Sequence, residues 1–140
     1  ISKMVDIDGK PYLDGGCSCK IPYQWAIDQG FEKIVVIKTR HADYRKNLKK
    51  ASETSLAHRI YHTHPEFAHV LEQSDAAYNH QCDELEQLAK EGRIYLVSPS
   101  VPMRISRLEK DMEKLGHLYA RGYKDAKDQM EQLKAYLGMK

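Results

Sequence analysis

The run Ile34-Val35-Val36-Ile37 is β-branched throughout and lies between Lys33 and Lys38. β-Branched side chains lose freedom in a helix and pack well on a pleated surface. An apolar run without alternation leaves no face for water. It predicts a strand covered on both faces, as in a parallel α/β sheet. Ile94-Tyr95-Leu96-Val97, ended by Ser98-Pro99, predicts a second such strand. Between them Phe67, Val70, Leu71, Ser74, Tyr78, Cys82, Leu85 and Leu88 recur at three- and four-residue intervals up to Gly92. That is the apolar stripe of a long amphipathic helix. Strands joined by helices give an α/β fold class.

The flanks add shorter elements. Met4, Val5 and Ile7 lead into Asp8-Gly9, and Pro11, Tyr12 and Leu13 resume an extended pattern, so a hairpin with a two-residue turn is expected. Pro22 suits the first turn of a short helix through Trp25 and Ile27, with Gly30 as its stop. After Pro102, Ser106-Arg107-Leu108-Glu109 has capping-box spacing, and Leu108, Met112, Leu115 and Tyr119 continue one apolar face. Gly122 is expected to interrupt that helix, and Tyr123, Ala126, Met130, Leu133 and Leu137 to start a second stripe, giving a C-terminal helical hairpin. The expected architecture is a small mixed sheet with the N-terminal hairpin at its edge and strands 34–37 and 94–97 inside. A helical layer over residues 67–137 would cover it.

A chain of 140 residues buries one core, or part of one. Its 22 basic and 20 acidic residues leave a net charge of +2, too small for the electrostatic footprint of a nucleic-acid partner. The longest apolar runs fall far short of the roughly 20 residues of a membrane-spanning helix, and no signal peptide is evident. Three cysteines, an odd and small number, suit a reducing cytoplasm. The sequence begins at Ile1 inside a strand-like run, which reads as the edge of a fragment.

Tyr12-Leu13-Asp14-Gly15-Gly16, followed by Ile21-Pro22, Ala26, Gly30, the strand Lys33–Ile37 and Thr39-Arg40, resembles the distal catalytic motif of bacterial patatin-like phospholipases. Later segments resemble the helical extension of the same family: Pro65, Tyr78-Asn79, Gly92 with Ile94, Pro99-Ser100, Leu118-Tyr119, Gly122-Tyr123 and Asp125-Ala126. On this resemblance residues 1–50 are the C-terminal part of a patatin-like catalytic domain. Residues 51–140 are a mainly helical C-terminal region with one strand near 94–97.

The resemblance implies a lipid acyl hydrolase, a phospholipase or esterase with a Ser-Asp dyad, needing no metal or organic cofactor. In that family the serine of a G-x-S-x-G elbow attacks an ester carbonyl and the aspartate of the Asp-Gly motif takes its proton. A serine hydroxyl is a poor nucleophile until a group within hydrogen-bond reach accepts that proton. Asp14 is the implied base, with Gly15 and Gly16 supporting the loop by leaving room beside it. An ordinary aspartate has a pKa near 3.9, so partial desolvation is expected to raise its basicity. Ser18, in Gly16-Cys17-Ser18-Cys19-Lys20, lacks the second glycine and lies too close to Asp14 to be the nucleophile. The nucleophile and the oxyanion segment are expected upstream, and this chain alone is expected to be inactive. Lys20 departs from the family, standing where many relatives carry the first proline of a Pro-x-Pro pair, and so does Cys19, where they tend to be polar. Implied partners are a lipid or ester substrate, a membrane surface touched peripherally, and other copies of the fragment.

Plainer readings stand beside these. Asp-Gly-Gly after a strand is also what an ordinary turn prefers. The competing function is a non-enzymatic binding or scaffold module that engages a protein through its C-terminal helices, with Asp14 only a turn residue. His58 and His62 are four apart, with His64 and His69 nearby, but no cysteine or carboxylate completes a metal-site spacing. A solvated face is expected for them. Cys17 and Cys19 lack the C-x-x-C redox spacing and read as structural thiols. The basic stretch Arg40–Lys50, with His41, Arg45, Lys46, Lys49 and Lys50, reads first as solvated surface, with contact to anionic lipid headgroups as the alternative. Most tyrosines read as core or helix-packing residues.

Overall fold

The computed structural model describes residues 4–48, 57–103, 105–106 and 108–139. Ile1, Lys49, Lys50 and Arg107 lie outside the described residues. The N-terminal hairpin follows from Asp8-Gly9. Both residues take positive φ, 53° and 75°, the pair that a tight two-residue turn between twisted strands demands. Strand β1 (Val5–Ile7) thus pairs antiparallel with β2 (Lys10–Tyr12), with Val5 opposite Tyr12 and Ile7 opposite Lys10. Asp6 fastens the turn by accepting the Gly9 N–H on Oδ1 at 3.0 Å.

Pro22 precedes helix α1 (Tyr23–Asp28). Gly30 ends it at φ 79°: the Gly30 N–H reaches the Ile27 carbonyl and the Phe31 N–H the Ala26 carbonyl, a Schellman closure. The same closure, with Gly92 at φ 72°, ends α2 (Pro65–Lys90), the long helix expected from the stripe. Ala68, Ser74, Tyr78, Cys82 and Leu85 form its buried face.

Strands β3 (Val35–Ile37) and β4 (Tyr95–Val97) pair in parallel, Val35 opposite Tyr95 and Ile37 opposite Val97. The Tyr95 N–H to Ile34 carbonyl and Lys38 N–H to Val97 carbonyl bonds, both 2.8 Å, extend the ladder at each end.

Two sequence expectations about the strands are corrected. The hairpin is not the edge of a common sheet: β1–β2 and β3–β4 are separate two-stranded sheets. The hairpin strands are three residues long and exposed throughout. Nor is β3 covered on both faces. Ile34 and Val36 are buried, but Ile37, on the opposite face, is 74% exposed. That face borders a cavity instead of a packed layer.

The C-terminal helices also differ from expectation. Helix α3 (Met112–Asp128) begins at Asp111, whose Oδ1 accepts the N–H groups of Glu113 and Lys114. This side-chain cap displaces the expected start at Ser106. Gly122 lies inside α3, since an exposed helical glycine costs only about 1 kcal/mol relative to alanine. The break comes at Gln129, one residue before α4 (Met130–Leu137), so there is no hairpin loop at Gly122. Of the expected apolar face only Leu115 is covered: Leu108, Met112 and Tyr119 are exposed, Met112 at 77%. The covered side carries Leu115, Leu118 and the buried Asp125.

The chain forms two compact units, neither continuous in sequence: Ile1–Pro22 with Arg45–Cys82, and Tyr23–Tyr44 with Asp83–Lys140. In the second, the Tyr136 hydroxyl is the main tie of α4. It accepts the Ile34 N–H at 3.1 Å and lies 3.1 Å from the Arg93 carbonyl, with the Lys33 ammonium over its ring. Tyr23 hydrogen-bonds Glu84, fixing α1 to the end of α2. No helix among the described residues is long and apolar enough to cross a membrane.

Candidate functional site

Asp14 stands two residues beyond β2 with extended backbone (φ −52°, ψ 127°) and caps a single 3-10 turn, Gly15–Cys17. Its Oδ1 accepts the Gly16 N–H at 2.8 Å, and its carbonyl accepts the Cys17 N–H at 2.9 Å. The carboxylate is thereby aimed by its own loop, the local bonding that makes aspartate favoured in turns. Oδ2 accepts no hydrogen bond from any described residue, and the residue is exposed. A Cβ on Gly16 would stand 3.2 Å from Asp14 Oδ1, whereas one on Gly15 would meet nothing within 4 Å. Gly16 is therefore the glycine that leaves the carboxylate its place. The exposed Ser18 donates its hydroxyl to the Gly15 carbonyl at 3.1 Å.

The loop after this turn is held by a residue that sequence reasoning passed over. Gln81 of α2 donates from Nε2 to the Ile21 carbonyl at 3.0 Å and lies 3.5 Å from Cys19 Sγ. Its signal was a polar residue at helical spacing among the apolar residues Tyr78, Cys82 and Leu85. Cys19 itself is exposed and Cys17 half-buried, so of the three thiols only Cys82 is a core residue. Asn79 makes a reciprocal clamp on Lys46, accepting its N–H at 2.8 Å and donating to its carbonyl at 2.9 Å. Lys46 also pairs with Asp75 at 2.6 Å and lies over the Tyr78 ring. This member of the basic stretch is engaged inside its unit and is not solvated surface. A cavity of about 160 Å³ opens beside the hairpin, lined by Met4, Pro11, Leu13, His64 and Phe67.

The histidines stay apart as ligands: His58 faces Glu72 at 3.3 Å, and His62, His64 and His69 are exposed. Among the described residues no group of three metal-ligating side chains converges.

The second unit holds a larger cavity, about 190 Å³, between the outer face of β3–β4 and helices α3 and α4. Val35, Ile37, Leu118 and Leu133 give it an apolar wall, and Lys38, Arg121 and Asp125 supply its charges. Asp125 is buried and accepts the Ser100 N–H at 3.0 Å. Hydrogen bonds from the Ser100 hydroxyl and amide hold its carboxyl below the usual carboxylate range, and Arg121 and Lys124 add attraction. Ser100 and Asp125 are 25 residues apart in the sequence, and the fold brings them together.

The chain matches no curated protein and no solved structure. A family model described as a domain of unknown function matches residues 64–138, which include α2, β4, α3 and α4. With more than half of its length inside that match, the chain belongs to the DUF6363 family.

Proposed function

We propose that this chain carries the aspartate half of a Ser-Asp acyl hydrolase of the patatin-like class, acting on carboxylic esters of lipids or lipid-like molecules. The observation that supports the reading is the asymmetry of Asp14. One carboxylate oxygen is anchored by Gly16 and the other is open to a donor. A general base needs both features: a fixed direction and a free lone pair. Asp14 takes the proton as a serine oxygen attacks the ester carbonyl and passes it to the departing alkoxide as the acyl-enzyme forms; it then takes a proton from the attacking water and gives it to the serine oxygen as the acyl-enzyme is cleaved. The serine is supplied by sequence outside these 140 residues, which contain no G-x-S-x-G. Approach of that segment and of the acyl chain would supply the desolvation that the exposed Asp14 lacks here.

The test is covalent. The full-length protein treated with a fluorophosphonate is expected to carry the adduct on a serine within a G-x-S-x-G segment upstream of Ile1. An unlabelled protein, or a reading frame without that segment, sinks the reading.

A second reading, a binding module with no chemistry, draws on one observation. Met112, Tyr119 and Tyr123 lie exposed along α3, as a docking helix would hold them. Full ester turnover after Tyr119→Ser and Tyr123→Ser would set it aside.

A further inference from the structure

We propose that the outward stripe of helix α3 is the interface of a two-fold dimer, in which α3 of one copy packs antiparallel against α3 of a second copy of this chain. Met112, Tyr119 and Tyr123 follow one another at intervals of seven and four residues, so at 3.6 residues per turn they point in nearly one direction. They are 65% to 77% exposed. The cavities beside α3 are lined from another side of the helix, by Leu118, Arg121 and Asp125. The described residues thus leave the stripe uncovered, and its two tyrosines are of the type enriched where proteins meet.

Charge selects a second copy as the occupant. A two-fold contact sets one surface against itself, so where residue i meets j, j also meets i. With Met112 of one copy opposite Tyr123 of the other, the axis falls level with His117 and Leu118, and the two Tyr119 rings lie beside it. Glu113 and Lys124 share one flank of the stripe, and in this register Glu113 of each copy comes level with Lys124 of the other. Both are exposed, and their bonds within the helix, to His117 and Asp128, are exposed i,i+4 pairs that cost little to exchange. A parallel pair would set Glu113 against Glu113 and Lys124 against Lys124, and like charges disfavour it.

Area sets the strength. A tyrosine covers about 150–250 Å² when buried, so closing the stripe on both copies removes on the order of 1,000 Å² from water, the lower bound for a specific interface. A reversible dimer in the micromolar range is expected at that size. The pairing uses no residue of the Asp14 turn, so its failure leaves the hydrolase reading untouched. It also differs from pairing of the β3–β4 edges, which substitutions on α3 would not disturb.

Sedimentation velocity of the full-length protein, over a concentration series spanning the micromolar range, tests it. The unaltered protein is expected to pass reversibly from monomer to dimer. Tyr119→Ser should weaken the dimer about tenfold, as loss of a central aromatic anchor does. Glu113→Lys and Lys124→Glu should each weaken it about fivefold by setting like charges together, and the double variant Glu113→Lys/Lys124→Glu should return to within a few-fold of the unaltered protein. Glu113 and Lys124 stand about 16 Å apart along one helix, so such a rescue comes only from contact between copies. All three positions are exposed, and equal circular dichroism should show that the variants keep the fold. A monomer throughout the series, a dimer indifferent to Tyr119→Ser, or a double variant no tighter than the single ones would each overturn the proposal.

Discussion

The Ser100–Asp125 contact makes one buried carboxylate responsive to pH. Hydrogen bonds and nearby cations lower the pKa of Asp125 in the folded chain. Its stabilising contribution is therefore present above the unfolded value, near 3.9, and is lost as pH falls through the lower folded value. Asp125→Ala is expected to destabilise the chain at pH 7 by about 1–3 kcal/mol, since the Ser100 N–H loses its acceptor. Urea denaturation at pH 7 and pH 3 checks this. The difference between wild type and variant should shrink at the lower pH, and an unchanged gap contradicts the assignment. At the Asp14 turn, Gly16→Ala should impair ester turnover of the full-length protein by roughly tenfold, because a side chain presses on the carboxylate oxygen. Stability should change little, as read by thermal unfolding. The turn at Asp14 was legible because turn chemistry is local and written in consecutive residues. Gln81 and Asn79 were not, because their roles depend on partners that only the folded chain provides.

Elements were legible wherever a short code governs them. Asp8-Gly9 specified the hairpin, and Gly30 and Gly92 specified two helix ends through positive φ. The failures lie in α3, where the covered face carries Asp125, a residue that periodicity counting treats as solvent-facing. The exposed Met112 and Tyr119 imitated a core stripe. Two substitutions measure how α3 is held. Asp111→Ala removes the cap on two N–H groups and should cost about 0.5–2 kcal/mol. Gly116→Ala meets no atom within 4 Å and should stabilise by about 0.5–1 kcal/mol. Chemical denaturation reads both. A neutral Asp111→Ala would mean that the helix starts elsewhere.

At the scale of the whole molecule, the chain combines two minimal sheets with helices that leave apolar surface uncovered. A two-stranded parallel sheet has unpaired backbone on both outer edges, and such edges invite pairing with other strands. Ile37, Met112 and Tyr119 add exposed apolar area. The 140-residue chain alone is therefore expected to self-associate in light scattering, and a clean monomer would count against its being part of a larger catalytic domain. Separate sheets were not legible in the sequence because strand patterns fix faces but not partners.

The central claim is that Asp14 is the base of an ester-cleaving dyad. The most direct measurement is kcat/KM of the full-length protein on a short acyl ester, comparing wild type with Asp14→Asn. The substitution keeps the size of the side chain and an oxygen able to accept the Gly16 N–H, while removing the proton acceptor. A fall on the order of 10²-fold or more is predicted; activity within a few-fold of wild type would contradict the claim.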